Sequence, residues 1–255
     1  MERMHLSKEY LAHVHPETHA PHHLEEHLAQ VGKLASQFAD EFGNADWAEL
    51  SGRWHDLGKY RIAFQQMIRR ESGYAAHLEE WGPSSSGKVD HSTPGALYAM
   101  EELGPYGKIL AYCIAGHHAG LADWYRDNHR GLSDLLNTSK ELLPETLFSE
   151  IPQSILQASQ PASFPPERVV SAFWIRMLFS CLVDADFLDT EHFMDEARSQ
   201  QRMMASGLQK FLPHFAKFME ETLASSNQDF LVNRIRKRYW MNVEKQLFVS
   251  RVSSH

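Results

Sequence analysis

The sequence predicts an all-α protein, and three observations carry that expectation. Glu, Lys, Ala, Leu and Met are plentiful at helical spacing, Val, Ile and Thr rarely alternate at period two, and apolar residues form stripes at three- and four-residue steps. With 255 residues, 43% of them hydrophobic, the chain can bury a substantial core as one large domain or two small ones, and no substantial sheet is expected.

Taken in order, Leu24, Leu28, Val31, Leu34, Ala35, Phe38 and Phe42 define an amphipathic helix that carries His27. Asn44 caps a second helix through Trp47, Leu50 and Trp54, which ends near Gly58 and places His55-Asp56 in its last turn. Ile62, Phe64, Met67 and Ile68 mark a third, and the run from Gly82 to Gly87 is a loop. Ser92-Thr93-Pro94 starts another helix where proline is tolerated, so His91 sits at a helix entrance. Ile109, Leu110, Cys113 and Ile114 form the inner stripe of a helix that ends at Gly116 and Gly120 around His117-His118. Leu121 to Pro144 reads as polar and broken, and Pro161 to Pro166 as a connector. A long apolar helix, Val169 to Val183, then delivers Asp184, Asp186 and Asp189, and the chain is helical again from Thr190.

Composition excludes some classes of function. Cys113 and Cys181 both lie in apolar stretches, no secretory leader pattern opens the chain, and a reducing cytoplasm is the expected setting. No run of eighteen apolar residues exists, so no membrane span is expected. A formal charge of −8 argues against nonspecific affinity for a polyanion, although bound cations can reverse the field locally.

Against that background, Trp54-His55-Asp56-Leu57-Gly58-Lys59, the lone His91 and the pair His117-His118 stand out among sixteen histidines. Imidazole and carboxylate hold borderline and hard divalent cations, so this combination reads as a metal-dependent hydrolase. The remaining histidines, including His13, His22 and His23, read as structural or solvated. A competing pattern, His23-Leu24-Glu25-Glu26-His27, satisfies the inverted zincin motif but leaves His55-Asp56 and His117-His118 unexplained.

The chain resembles the HD domain nuclease of type I CRISPR systems, the nuclease part of the interference nuclease-helicase. The likeness runs through Leu24-Glu25-Glu26-His27-Leu28, His55-Asp56-Leu57-Gly58-Lys59, Ala63-Phe64-Gln65, His91-Ser92 with Gly95-Ala96, Ala115 to Gly120, and Arg176 to Glu191 with its Asp184-Ala185-Asp186 element. It covers roughly residues 10 to 195.

That resemblance implies an HD-domain helical fold with a dinuclear metal site at the centre of its core. Position by position, His27, His55, Asp56 and Asp186 would hold a first ion, and Asp56 would bridge to a second held by His91, His117 and His118. Asp184 is the rival for the last ligand. Asp56 and Lys59 are the catalytic candidates; Lys59 either contacts a phosphate as a point charge or orients a ligand carboxylate. The donors accept Mn, Ni, Co, Fe, Mg or Zn. Two cations about 3.5 to 4 Å apart activate water and stabilise a leaving alkoxide, which suits phosphodiester cleavage.

Single-stranded DNA is the implied substrate, in antiviral defence, cut by endo- or exonuclease action after a CRISPR surveillance complex has opened the target. Trp124, Tyr125, Arg126 and Arg130 are candidate DNA contacts. The family's helicase partner is not encoded here, because no G-x-x-x-x-G-K-[ST] loop occurs. An HD nuclease domain over 1–225 and a basic helical extension over 226–255, resembling the lead-in to a helicase, are expected; the extension also reads as a terminal helix closing the same domain. Two other functions fit the motifs: an HD phosphohydrolase acting on a nucleotide or cyclic dinucleotide, and a noncatalytic recruitment module.

Overall fold

In the computed structural model, which describes residues 8–74, 89–126, 131–142, 147–157, 161–162, 168–204, 211–225 and 230–252, the chain opens with a short antiparallel hairpin. Its strands are β1 (Leu11–Val14) and β2 (Pro21–His23), and His13 lies opposite His22. These two strands are the only sheet among the described residues, which fits the expectation of an all-α architecture. Strands this short are marginal alone. Here the fully buried Gln65 stitches β1 down: its Oε1 accepts from Leu11 N at 2.9 Å, and its Nε2 donates to Leu11 O at 2.9 Å and Lys59 O at 2.8 Å.

The helices follow as α1 (Leu24–Asp40), α2 (Ala45–Trp54), α3 (Ile62–Ser72), α4 (Thr93–Leu103), α5 (Gly107–Gly116), α6 (Leu132–Leu142), α7 (Gln153–Leu156), α8 (Arg168–Met194) and α9 (Glu196–Met204). The core forms where the predicted stripes meet: Leu28, Val31 and Ala35 of α1, Trp47 and Trp54 of α2, Leu110 and Ile114 of α5, and Leu178 and Leu182 of α8 are all buried. Each buried Leu, Ile or Val among them contributes about 1.5–3 kcal/mol on leaving water, and that packing fixes where the helix ends converge. Gly32 of α1 and Gly52 of α2 let the two helices cross closely, since a Cβ on Gly52 would strike the backbone of Gly32.

Three sequence-based expectations need correction. Helix α2 stops at Trp54, before Gly58; His55 is its C-cap and Asp56 precedes a 3-10 turn over Leu57–Tyr60. The reason is the Gly58 amide, which donates to His91 O at 3.0 Å instead of extending α2. The stretch read as broken contains α6, whose buried Leu132 and Leu136 lie one turn apart. Helix α8 runs on to Met194, so Asp184, Asp186 and Asp189 lie within it, not beyond its end. The Gly82–Gly87 loop, Arg130 and residues 163–166 of the connector lie outside the described residues.

The contacts divide the chain into two compact units, Met1–Ser199 and Gln200–His255. The limit expected after residue 225 falls within the second, where α10 (Leu212–Ser225) and α11 (Leu231–Val252) pack together with Phe215 edge-on to Trp240 at 5.5 Å between ring centres. No helix among the described residues is long and apolar enough to cross a membrane.

Candidate metal centre

Five helix-derived segments bring the predicted residues into one cluster. His27 rides on the buried stripe of α1, and His55-Asp56 follow α2. His91 precedes α4, and His117-His118 follow α5. Asp186 projects from α8 on the stripe that continues Leu178, Leu182 and Ala185. The Gly-His-His corner and the His-Asp corner meet, with the rings of His55 and His117 edge to face at 5.0 Å. Asp184, two residues from Asp186 and on another side of the helix, is exposed.

Asp56, 1% exposed, stands between two sets of nitrogens. Its Oδ2 lies 3.2 Å from His55 Nε2 and 3.8 Å from His27 Nε2. Its Oδ1 lies 3.5 Å from His117 Nε2 and 3.8 Å from His91 Nε2. Asp186 Oδ1 closes the first set, 3.5 Å from His27 Nε2 and 3.6 Å from His55 Nε2. In the second set, ring nitrogens of His91, His117 and His118 lie with an Asp56 oxygen within 4.8 Å of one another.

In four of these histidines the other ring nitrogen is already committed. Nδ1 of His55 bonds Gly52 O at 2.7 Å, of His117 Ile114 O at 2.7 Å, of His91 Val89 O at 3.2 Å, and of His27 the Asp189 carboxylate at 2.6 Å. A carbonyl or carboxylate can only accept, so Nδ1 carries the proton and each Nε2 presents its lone pair to the cluster. Those four Nε2 atoms and Asp56 Oδ1 are buried without a hydrogen-bond partner. Leaving so many buried acceptors unsatisfied costs about 1–3 kcal/mol each, and divalent cations are the groups that would satisfy them together. The residues present therefore fit a metal centre.

The charges agree with that fit. Burial works against ionised Asp56, but His55 and Lys59 outweigh it and hold the carboxyl well below the usual range. Burial also opposes charge on His55, yet the Asp56 and Asp186 carboxylates prevail and draw its pKa up to about 10, which marks the position as one that attracts positive charge. Burial lowers His91, and lowers His118 to about 4, leaving both neutral and able to donate a lone pair at neutral pH.

Lys59 is buried, with its ammonium 2.8 Å from Asp56 Oδ2, 3.2 Å from Ala12 O and 3.3 Å from His13 Nε2. The ammonium is thus tied both to Asp56 and to the hairpin. Of the candidate DNA contacts, Tyr125 is 78% exposed and Trp124 lies beneath the Lys108 ammonium at 3.8 Å.

Sequence reasoning missed three neighbours of this cluster: His13, His22 and Asp189. Asp189 had a usable signal, being three residues beyond Asp186 and seven beyond Leu182 on one helical face. The inverted zincin pattern fails, because His23 ends a strand with its ring 3.7 Å from Glu9, and Glu26 is exposed.

The chain matches the family described as "Cas3, HD domain" over residues 12–209. No curated protein matches the chain. The match takes in every residue of the cluster and most of the chain: this protein belongs to the Cas3 HD-domain family, the metal-dependent nucleases of CRISPR systems.

Proposed function

We propose that this chain is a single-stranded DNA nuclease that works with two divalent cations shared by Asp56. The observation that carries the reading is the division of labour on Asp56, one carboxylate oxygen facing His27 and His55, the other facing His91 and His117 with His118 beside them, while Asp186 approaches the same two nitrogens of His27 and His55. His27, His55, Asp186 and Asp56 Oδ2 would hold one cation; His91, His117, His118 and Asp56 Oδ1 the other. Bound there, divalent cations supply Lewis acidity toward a phosphodiester oxygen and a nucleophilic water at neutral pH.

The chain's own residues do the rest. Lys59 holds Asp56 in place, Asp189 and three backbone carbonyls fix the imidazole tautomers, and the apolar walls of α1, α2 and α8 keep water from the deep side. His118 is exposed, so substrate enters on that side. Tyr125, with Trp124 and Arg126, offers stacking and phosphate contacts for an unpaired strand. In the cytoplasm the chain would act with a helicase and a CRISPR surveillance complex, residues 226–255 leading toward the helicase.

The test is degradation of circular single-stranded DNA, without ATP, by purified protein given manganese, nickel, cobalt or iron. Cleavage that Asp56→Ala abolishes supports the reading. Equal cleavage by the variant removes it, and turnover of small nucleotides but never of DNA replaces it with a phosphohydrolase.

A further inference from the structure

Neither ligand set uses His13 or His22, yet both sit in the hairpin directly behind the cluster, and their bonds can run in one direction only. Lys59 Nζ is solely a donor, so His13 Nε2, at 3.3 Å, accepts from it. His13 then carries its proton on Nδ1, which donates to His22 Nδ1 at 3.2 Å. His22 is left with its proton on Nε2, and that atom faces Asp189 Oδ2 at 3.6 Å. The same Oδ2 accepts from His27 Nδ1 at 2.6 Å. A line of side chains therefore runs from the Lys59–Asp56 ion pair, through two hairpin histidines and Asp189, to the ring of His27, hydrogen-bonded at each step except the 3.6 Å approach of His22 to Asp189.

The line is rigidly mounted. Gln65 fastens β1 to α3, His22 stacks on Phe193 at 4.4 Å between ring centres, and His15 Nε2 contacts Met194 O at 3.2 Å at the end of α8. We propose that His13 and His22 are positioning residues, a relay of hydrogen bonds completed by the electrostatic approach of His22 to Asp189, which holds Lys59 and Asp189 so that Asp56 and His27 keep their metal-binding orientation. This rests on the two-cation reading above and extends it to the hairpin. Ring nitrogens of His13, His22 and His27 also lie close enough together to suggest a separate cation. The Lys59 ammonium facing His13 and the short His27–Asp189 bond argue against one.

Nitrogen-15 spectra of histidine-labelled, metal-free wild-type chain test the relay without any variant. His13 is expected as the Nδ1–H tautomer and His22 as the Nε2–H tautomer, and the opposite tautomer at either position overturns the relay. Calorimetric titration with manganese tests its consequence. His13→Leu and His22→Leu fill similar space without a ring nitrogen and should each weaken one manganese site about 10–100-fold, as loss of outer partners does elsewhere. The double variant should lose little more than either single one, because both break the same line. His13→Gln keeps an acceptor for Lys59 and a donor for His22, and should restore binding to within about threefold of wild type, a small free-energy residue on the usual logarithmic scale. Unchanged affinity in both leucine variants overturns the relay alone. Loss of one whole manganese equivalent with the others intact shows a separate hairpin site instead. A wild-type chain that binds no manganese overturns the two-cation reading and the relay with it.

Discussion

The two halves of the cluster are built to different standards. The half formed by His27, His55 and Asp186 lies among α1, α2 and α8, with both imidazoles fully buried and His27 backed by a carboxylate. The half formed by His91, His117 and His118 sits where α4 begins and α5 ends, its imidazoles fixed by backbone carbonyls where they are fixed, and His118 is open to solvent. Burial and an ionic outer partner favour tight, slow exchange, whereas exposure favours a cation that comes and goes with substrate. On the two-cation reading proposed above, one cluster combines a buried grip with an accessible working face, and Asp56 joins them.

The sharpest way to break this comparison is to remove the shared group. Asp56→Ala should cost both halves their common oxygen donor and lower DNA cleavage by more than about a thousandfold, roughly 4 kcal/mol of barrier. A loss confined to one cation in metal analysis would show that the halves are independent. Next in size, Asp189→Ala leaves His27 Nδ1 buried without its acceptor and should weaken only the deep cation, by about 10–100-fold in calorimetry. His118→Ala should do the reverse, reducing outer-cation affinity and DNA turnover while the deep cation stays bound.

Two smaller effects probe the scaffold. A Cβ at Gly58 would collide with the backbone of His91, so Gly58→Ala should displace the outer half at a cost of about 1–3 kcal/mol, read by chemical denaturation, with the deep cation retained. In metal-free protein, burial lowers the His22 pKa from 6.5 to about 4. The unfolded chain therefore takes up a proton that the fold refuses, so the His22 contribution is complete above about pH 6.5 and declines as the pH falls toward about 4. Denaturation midpoints measured across that window should fall, and should fall less in His22→Leu.

Much of this was legible because helical periodicity and metal chemistry reinforce each other. His27 falls on the Leu24–Leu28–Val31 stripe, His91 stands just before Ser92-Thr93-Pro94, and Gly116 marks the end before His117, so position and residue type gave the same answer. What stayed hidden depends on tertiary contact. The hairpin has little period-two signal and is held by Gln65 from another element, so His13 and His22 read as bland. The bonds of Lys59 to Ala12 O and His13 likewise join it to an element that its position along the chain does not announce. The true end of α2 depends on Gly58 bonding to His91, over thirty residues away along the chain.

The central claim is that Asp56 separates two cation positions. Anomalous diffraction from crystals of the wild-type chain grown with manganese tests it most directly. Two manganese peaks are expected, one against Asp56 Oδ2 with His27, His55 and Asp186, the other against Oδ1 with His91, His117 and His118. A single peak held by one half alone, or two peaks that do not share Asp56, would contradict the account.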